Sequence, residues 1–230
     1  GRRLAFGQAF NWLSYNYQGV FGYLWTTTGT TWMAFDALTG RWVYTITDVP
    51  SGWNLYGPKG EICRYTVNLA NGWMTLWNSS AVVSMDGSWR PHGNVYNASG
   101  IGAAVTRAIA WNVTIPKGLP GSVNAVALDD KVVGSSVNTT DVVVWAFSLK
   151  KGQEGPLLFN TTWQPPSGQH VLAFATRSLE DRVITVRVKD LRAFYGFSMD
   201  TGQYLWGPTE SRGYMDLFMG GPSGESGMIG

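Results

Sequence analysis

The sequence is poor in the residues on which disulfides, metal sites and electrostatic binding depend. Its 230 residues include one cysteine, Cys63, and two histidines, and only 14% are charged, with a net charge of +2. A lone cysteine excludes an intrachain disulfide and is expected to be a small buried hydrophobic residue. The basic residues are scattered, which argues against a nucleic-acid partner. No apolar run of about 20 residues occurs, so no transmembrane segment is predicted.

Candidate catalytic residues are few and poorly placed. His92 and His170 lie far apart and lack metal-ligand spacing to each other or to Cys63. The acidic pairs Asp129-Asp130 and Glu180-Asp181 fall in predicted hairpin turns. Solvated carboxylates are typical of such turns, so we do not expect either pair to act as the carboxylate dyad of a glycosidase. We therefore expect no catalytic residues, no metal site and no cofactor.

Aromatic residues and glycine are abundant instead. The chain has 12 Trp, 10 Tyr, 10 Phe and 29 Gly, and no long stretch keeps the 3.6-residue apolar period of a helix. This composition predicts an all-β protein with little or no helix. Six aromatic residues lie in or beside the first two predicted repeat units: Trp12, Tyr15, Tyr17, Tyr23, Trp25 and Trp53. Two roles are possible for them. The rings are either exposed and stack on sugars or protein partners, or they pack between blades.

One hairpin pattern recurs along the chain. In residues 194–206 an apolar strand runs into the turn Asp200-Thr201-Gly202, and a second strand ends at Trp206. A similar copy spans residues 32–44, a looser one 65–77 and a diverged one 144–152. The four turn glycines are Gly40, Gly72, Gly152 and Gly202. Their spacing is compatible with a unit of roughly 30 to 50 residues, with one unit unmarked between the second and third glycines.

Repetition at this period predicts a propeller or a solenoid, and consecutive four-strand meanders favour a β-propeller of four-stranded antiparallel blades. Two consecutive four-strand meanders are predicted, in residues 120–166 and 167–212. The full prediction is a single region, 1–230, with about five blades in a ring that is either closed or incomplete. The blade boundaries are 1–50, 51–82, 83–119, 120–166 and 167–212, and 213–230 begins a further blade or forms a tail. Residues 86–102 are predicted to form a long loop, either a binding feature or a plain surface excursion.

Residues 34–42 and 196–206 resemble the repeat of the pyrroloquinoline-quinone-like (PQQ-like) β-propellers, whose third-to-fourth-strand hairpin reads Ala-x-Asp-x-x-Thr-Gly-x-x-x-x-Trp. The resemblance implies that Trp77 and Trp206 dock on a neighbouring blade and that Asp36 and Asp200 hold their turns. Two departures stand out. Tyr44 occupies the place of the first tryptophan, and the turn before Gly152 lacks the aspartate.

Quinoprotein dehydrogenases with this architecture bind the quinone on a tryptophan platform beside a calcium or lanthanide ion and usually carry a vicinal disulfide. The single cysteine excludes that disulfide here, and no motif matches the metal ligands or the aspartate base. The resemblance therefore favours the non-enzymatic members of the family, which act as scaffolds. We expect a segment of a longer archaeal or bacterial surface protein.

Five Asn-x-Ser/Thr sequons occur, at Asn78, Asn97, Asn112, Asn138 and Asn160. Either they are glycosylation sites of a secreted protein or they reflect the frequency of Asn and Thr in β-turns. The function that we predict is an extracytoplasmic scaffold that binds a protein or glycan at the cell surface. The alternatives are a structural subunit that self-assembles through blade edges into a surface layer or filament, and part of a secreted quinoprotein or hydrolase.

Overall fold

The computed structural model describes residues 3–14, 17–84, 88–99, 108–166 and 172–211. The chain forms two compact units, Gly1–Lys117 and Gly118–Gly230, where the sequence analysis predicts a single region. Both units consist of β-sheets in which all described strand pairs but one are antiparallel, and the one helix that lies wholly within the described residues has five residues. The all-β prediction is therefore confirmed.

The first unit contains nine described strands and the helix. They are β1 (Phe6–Leu13), β2 (Gln18–Thr28), β3 (Thr31–Asp36), β4 (Trp42–Thr47), β5 (Trp53–Tyr56), β6 (Ile62–Asn68), β7 (Trp73–Asn78), α1 (Ser79–Val83), β8 (Asn94–Asn97) and β9 (Ile109–Thr114). The first sheet has the order β1-β2-β3-β4-β8, in which β8 runs parallel to β4. The second sheet has the order β5-β6-β7-β9.

The segment 83–119 differs from the sequence prediction. It was expected to form a blade of its own, but its two described strands complete the sheets on either side: β8 pairs with β4, and β9 pairs with β7. With four and six residues, these strands are too few to make a stable sheet alone. They pair instead with outer strands whose backbone groups need partners. Four sheets are thus described where about five blades were predicted.

The second unit contains two antiparallel meanders in chain order. The third sheet is β10 (Ser122–Ala127), β11 (Lys131–Val137), β12 (Val142–Ser148) and β13 (Leu157–Trp163), and the fourth is β14 (Leu172–Ser178), β15 (Val183–Val188), β16 (Ala193–Ser198) and β17 (Tyr204–Trp206). These sheets fall within 120–166 and 167–212, where the sequence places two meanders. The strand predicted at 214–219 lies outside the described residues.

Each unit has its own hydrophobic core. In the second unit, Val144 and Ala146 of the third sheet and Ile184, Val186 and Phe197 of the fourth are fully buried in one cluster. Ile184, Val186 and Val188 alternate with half-buried residues along β15, as expected for a strand with one face inward. Burying each Val or Ile side chain stabilises the fold by about 1.5–3 kcal/mol. The core of the first unit contains seven aromatic residues among its sixteen buried members.

The four turn glycines share one conformation, because all have positive φ, between 69° and 77°. In the turns of Gly40, Gly72 and Gly202, the glycine N–H donates to the carbonyl oxygen of the residue four positions earlier, at 2.8–2.9 Å. That earlier residue is Asp36, Asn68 or Ser198, each with a short polar side chain. The hairpins are not equivalent, however. Gly72 lies between the second and third strands of its sheet, and the other three glycines lie between the third and fourth.

The turns of Gly40 and Gly202 are held by different side chains, Asp36 and Ser198, although Asp200 also lies in its turn. The Asp36 carboxylate accepts hydrogen bonds from the N–H groups of Leu38 and Thr39 at 3.1 and 2.7 Å, and these bonds, the Thr39 N–H first, lower the pKa of Asp36. In the last copy, Ser198 Oγ accepts the corresponding bonds from Asp200 and Thr201 at 3.0 and 3.2 Å. The capping position is four residues before the glycine, and Asp200 is only two before it.

Replacing Ser198 by alanine is expected to destabilise the second unit by about 1 kcal/mol, because two turn N–H groups lose their acceptor. Ser198→Asn restores a short acceptor, as in Asn68, and should recover most of the loss. Urea unfolding of the three proteins measures this difference. Equal stabilities for Ser198→Ala and the parent would contradict the capping role.

The two tryptophans predicted to dock between sheets behave differently. Trp77 lies in β7, the third strand of its sheet, and is 1% exposed, with its ring 6.1 Å from that of Trp32 in the first sheet. Trp77 therefore packs between two sheets, although β7 is not the last strand of its sheet. Trp206 is 41% exposed and lies over Gly196 of the adjacent strand in its own sheet. Trp163 of β13 packs against the fourth sheet instead, with its ring 4.9 Å from that of Tyr195.

Candidate functional site

The second unit contains an open cleft of about 360 Å³ at the turn end of its two sheets. Its lining includes an ion-paired group, Asp130, Lys131 and Asp200, which we call the floor, and a group of exposed residues, Lys150, Gln153 and Leu158, which we call the rim. Asp130 lies in the turn before β11, and Asp200 lies in the turn between β16 and β17. Tight turns of neighbouring sheets thus bring charges together that are 70 residues apart in sequence.

Arg182, which immediately precedes β15, joins these charges into one cluster. Its Nη2 donates to Asp130 Oδ2 at 2.6 Å, and its Nε lies 2.9 Å from both carboxylate oxygens of Asp200. Lys131 Nζ donates to Asp200 Oδ1 at 2.7 Å. The Lys131 side chain is only 9% exposed, whereas Asp200 is 46% exposed. The cluster therefore neutralises one buried ammonium and ties the third sheet to the fourth.

The hydrogen bonds keep the cluster ionised. Those from Arg182, followed by those from Lys131, hold the pKa of the Asp200 carboxyl well below its usual range. The same contacts, with Asp200 first and then Asp130, raise the pKa of Arg182 above its already high value. Asp200 and Arg182 therefore both remain charged near neutral pH.

The rim of the cleft has unused binding capacity. Among the described residues, the side chains of Lys150 and Gln153 have no hydrogen-bond partner, and both residues are exposed. Leu158 beside them is 46% exposed. Two polar donors and an apolar side chain above a neutralised floor can bind a polar ligand that also offers an apolar face.

Sequence reasoning missed this cluster, because it assigned both members of Asp129-Asp130 to a solvated turn. Asp129 is exposed, but Asp130 binds Arg182. A signal was present in the sequence. Asp130 and Arg182 immediately precede the second strands of consecutive sheets, so opposite charges occupy equivalent positions in neighbouring repeats. The other acidic pair is local, since Ser178 Oγ donates to Asp181 at 2.8 Å.

The aromatic residues of the first unit are mostly core residues. Trp25 is fully buried, and its indole N–H donates to Gln8 Oε1 at 3.0 Å. Tyr23 is 4% exposed, and burial raises its pKa to about 12 although Trp89 donates a hydrogen bond to its hydroxyl. Trp12 is half-buried, with its ring 5.4 Å from that of Trp89. Of the alternatives given above, packing applies to these three aromatic residues.

Two further members of the aromatic group lie nearer the surface. Trp53 is half-buried in β5, and the hydroxyl of Tyr17 lies 3.1 Å from Nε2 of His92. Tyr15 and His170 lie outside the described residues. The predicted long loop 86–102 is described only in part: its residues 88–99 include β8 and the buried Trp89.

No group of three or more His, Cys, Asp or Glu is close enough to hold a metal ion in the part of the chain that the structure describes. Cys63 is buried, and as the single cysteine of the sequence it leaves no second thiol for the vicinal disulfide of the quinoprotein site. The described residues therefore do not fit the quinone site. None of the described helices could cross a lipid bilayer, since α1 has only five residues.

Four of the five sequon asparagines are exposed. Asn97, Asn112 and Asn160 lie on strands β8, β9 and β13, and Asn138 lies in the turn between β11 and β12. Asn78 is half-buried, and it caps the N-terminus of α1 by accepting a hydrogen bond from the Ser80 N–H at 2.9 Å. All five asparagines belong to the described residues.

No protein-family model and no curated protein matches the chain. Among solved structures, a crystal structure of the eukaryotic initiation factor is 10% identical, with a TM-score of 0.34, and the match covers 87% of this chain and 62% of that one. Hsv2p of Kluyveromyces lactis is also 10% identical, with a TM-score of 0.32 and coverage of 80% and 59%. The chain spans less than two thirds of either protein, and likeness at this level assigns neither a family nor a function.

Proposed function

We propose that the chain is an extracytoplasmic β-propeller scaffold that binds a protein or a glycan at the cell surface. The propeller part of the proposal is supported by the repeated third-to-fourth-strand hairpin, whose turn glycine has the same positive φ in three sheets. Each of those sheets is a meander of four antiparallel strands, extended in the first sheet by β8. A non-enzymatic PQQ-like repeat is the family that these hairpins fit best.

The extracytoplasmic part is supported by the exposure of Asn97, Asn112, Asn138 and Asn160. A sequon buried in the core could not carry a sugar, whereas these four present their side chains to solvent. The low content of charged residues, 14%, agrees with a surface rich in neutral polar and aromatic side chains.

The binding part depends on one observation, the rim of the cleft in the second unit. Lys150 and Gln153 offer unused donors beside the exposed Leu158. Glycans and extended peptides both combine hydroxyl or carbonyl acceptors with apolar patches, and both match this arrangement. The ion-paired floor stabilises the shape of the cleft and leaves the rim to select the partner.

The test is binding of the natively purified protein to an array of cell-surface glycans and to a panel of cell-envelope proteins. For any ligand found, Lys150→Ala combined with Gln153→Ala is expected to weaken binding at least tenfold, or ~1.4 kcal/mol. Lys151→Ala removes the same charge from the adjacent exposed residue, which does not line the cleft, and serves as the matched control. Binding that is unchanged in the double variant, or no binding to either panel, would overturn the proposal.

A second candidate is a structural subunit that assembles through its sheet edges. The observation that favours it is that, among the described residues, no strand pairs with the outer sides of β9 and β13. Such edges can add a strand from another copy. Mass that increases with concentration in sedimentation would support this alternative.

A further inference from the structure

The last strand of every sheet forms an outer edge. These strands are β8, β9, β13 and β17, and no other strand of the described residues pairs with their outer sides. An unpaired edge strand presents a row of free N–H and C=O groups, which is a template for strand addition by another chain. Stable proteins with open edges therefore need a device that blocks them.

Three of the five sequons lie on these edge strands. Asn97 ends β8, Asn112 is in the middle of β9, and Asn160 is in the middle of β13. The three strands have only four, six and seven residues, so an even spread of five sequons over the chain would place fewer than one there. All three asparagines are exposed. On β9, Asn112 lies between two half-buried neighbours.

The fourth edge has no sequon but is blunted in another way. Strand β17 has three residues, and Gly207 and Pro208 follow it directly. A very short edge strand and a proline, which lacks an N–H group, both oppose the addition of a further strand. Each of the four outer edges thus carries either a sequon or a short strand ended by proline.

The side-chain amides of the three edge asparagines also differ from that of Asn138 in their hydrogen bonds. Nδ2, the atom that would carry the sugar, donates to Asp141 Oδ1 at 2.7 Å in Asn138. Among the described residues, Nδ2 of Asn97, Asn112 and Asn160 has no hydrogen-bond partner. Asn97 uses only its Oδ1, which accepts from the Ser99 N–H at 2.8 Å. The edge asparagines can therefore carry a sugar with no loss of existing bonds.

From this placement we infer that N-linked glycans on Asn97, Asn112 and Asn160 shield the outer edges of the first three sheets and prevent edge-to-edge assembly. The inference rests on the proposed extracytoplasmic location. In the modification, Nδ2 forms a bond to the anomeric carbon of a lipid-diphosphate-linked oligosaccharide and loses one proton, and the lipid diphosphate leaves. An added strand would lie about 4.8 Å away, with side chains about 5 Å from the modified asparagine, which is space that the glycan occupies.

The experiment uses the natively purified, folded protein. Enzymatic release of N-glycans in ¹⁸O-labelled water converts each occupied asparagine to labelled aspartate, and peptide mass mapping then identifies the sites. Sedimentation of the glycosylated and deglycosylated proteins is compared over a hundredfold range of concentration. We expect label at the three edge sites, a constant mass for the glycoprotein, and at least a twofold rise in mass for the deglycosylated protein.

Glycan release acts on folded protein, so it keeps the test valid if a triple Asn→Gln variant of the edge sites fails to fold. Asn138→Gln is the matched control and should leave the mass constant. Occupied edge sites without assembly after glycan release would overturn the shielding and leave the proposed location intact. No sugar on any of the five asparagines would overturn the shielding and the extracytoplasmic proposal together, and the cleft test above would still decide binding.

Discussion

Replacing Gly60 by alanine is expected to destabilise the first unit by about 3 kcal/mol or more. Gly60 has φ of +79°, and an added Cβ would overlap the carbonyl oxygen of Ala9 in β1. A left-handed conformation costs an L-residue about 1–2 kcal/mol, and overpacking against a rigid neighbour adds about 1–3 kcal/mol. Since this overlap involves backbone rather than a flexible side chain, the turn itself must move.

The neighbouring contacts explain why this movement is costly. The Gly60 carbonyl accepts a hydrogen bond from Gln8 Nε2 at 2.7 Å, and the Lys59 carbonyl accepts one from the Asn11 N–H at 2.7 Å. Gln8 in turn accepts the indole N–H of the buried Trp25. The turn between β5 and β6 is thus docked on β1 of the first sheet, and displacing it leaves buried polar groups without partners.

Gly40→Ala is the matched control, because Gly40 has φ of +69° but an added Cβ would meet nothing within 4 Å. It should cost about 1 kcal/mol, from conformation alone. Urea unfolding followed by tryptophan fluorescence measures the first unit, since nine of the twelve tryptophans precede Gly118. Equal losses for the two variants would contradict the docking of the turn.

Replacing Asp200 by asparagine is expected to destabilise the second unit by about 2 kcal/mol at pH 7. The change leaves the nearly buried Lys131 ammonium without its carboxylate and removes the paired contacts of Arg182. Breaking a fully buried ion pair costs about 3–5 kcal/mol. The loss here is smaller because Asp200 and Arg182 are 46% and 36% exposed, and solvent screens their interaction.

The effect of Asp200 depends on pH in a defined direction. Its pKa is lower in the folded protein than in the unfolded chain, so its contribution is complete above the unfolded pKa of about 4. That contribution is lost as the pH falls from there toward the folded pKa. The difference in unfolding free energy between the parent and Asp200→Asn should therefore be largest at neutral pH and shrink below pH ~4.

Hydrogen exchange of amides in β11 and β15 at neutral and acidic pH measures this difference within the second unit. Asp129→Asn is the control, because it makes the same change of charge at an exposed residue that has positive φ, which asparagine tolerates. A difference for Asp200→Asn that stays constant down to pH ~3, or an equal loss in Asp129→Asn, would contradict the role of the ion pairs.

The tight turns show how much of the local structure could be predicted from the sequence. Gly40, Gly152 and Gly202 were predictable because a tight turn needs positive φ, which glycine adopts without strain. Asp36 and Asp200 were both predicted as turn residues, but the side chain that accepts the turn hydrogen bonds lies four positions before the glycine, at Asp36 in the first copy and at Ser198 in the last. Counting back from the glycine would have identified it.

The charged cleft and the edge strands required knowledge of the tertiary structure. Lys131, Arg182 and Asp200 meet because three turns converge at one end of two sheets, and no local pattern encodes that convergence. Exposed and half-buried residues alternate along β9, as expected for a strand, but the partners of β8 and β9, which are β4 and β7, lie about 30–50 residues away in sequence. Pairing over that distance depends on which edge remains open after the local hairpins form.

By itself the sequence determined that this protein is built from antiparallel sheets, where its tight turns lie and that two meanders fill its second half, because strand alternation and turn glycines are local properties. Only the tertiary structure decided that residues 83–119 complete the first two sheets, that Trp163 packs against the fourth sheet, and that three sequons lie on open edges. Those features depend on backbone groups and side chains that seek partners across space, which neighbours in sequence do not specify.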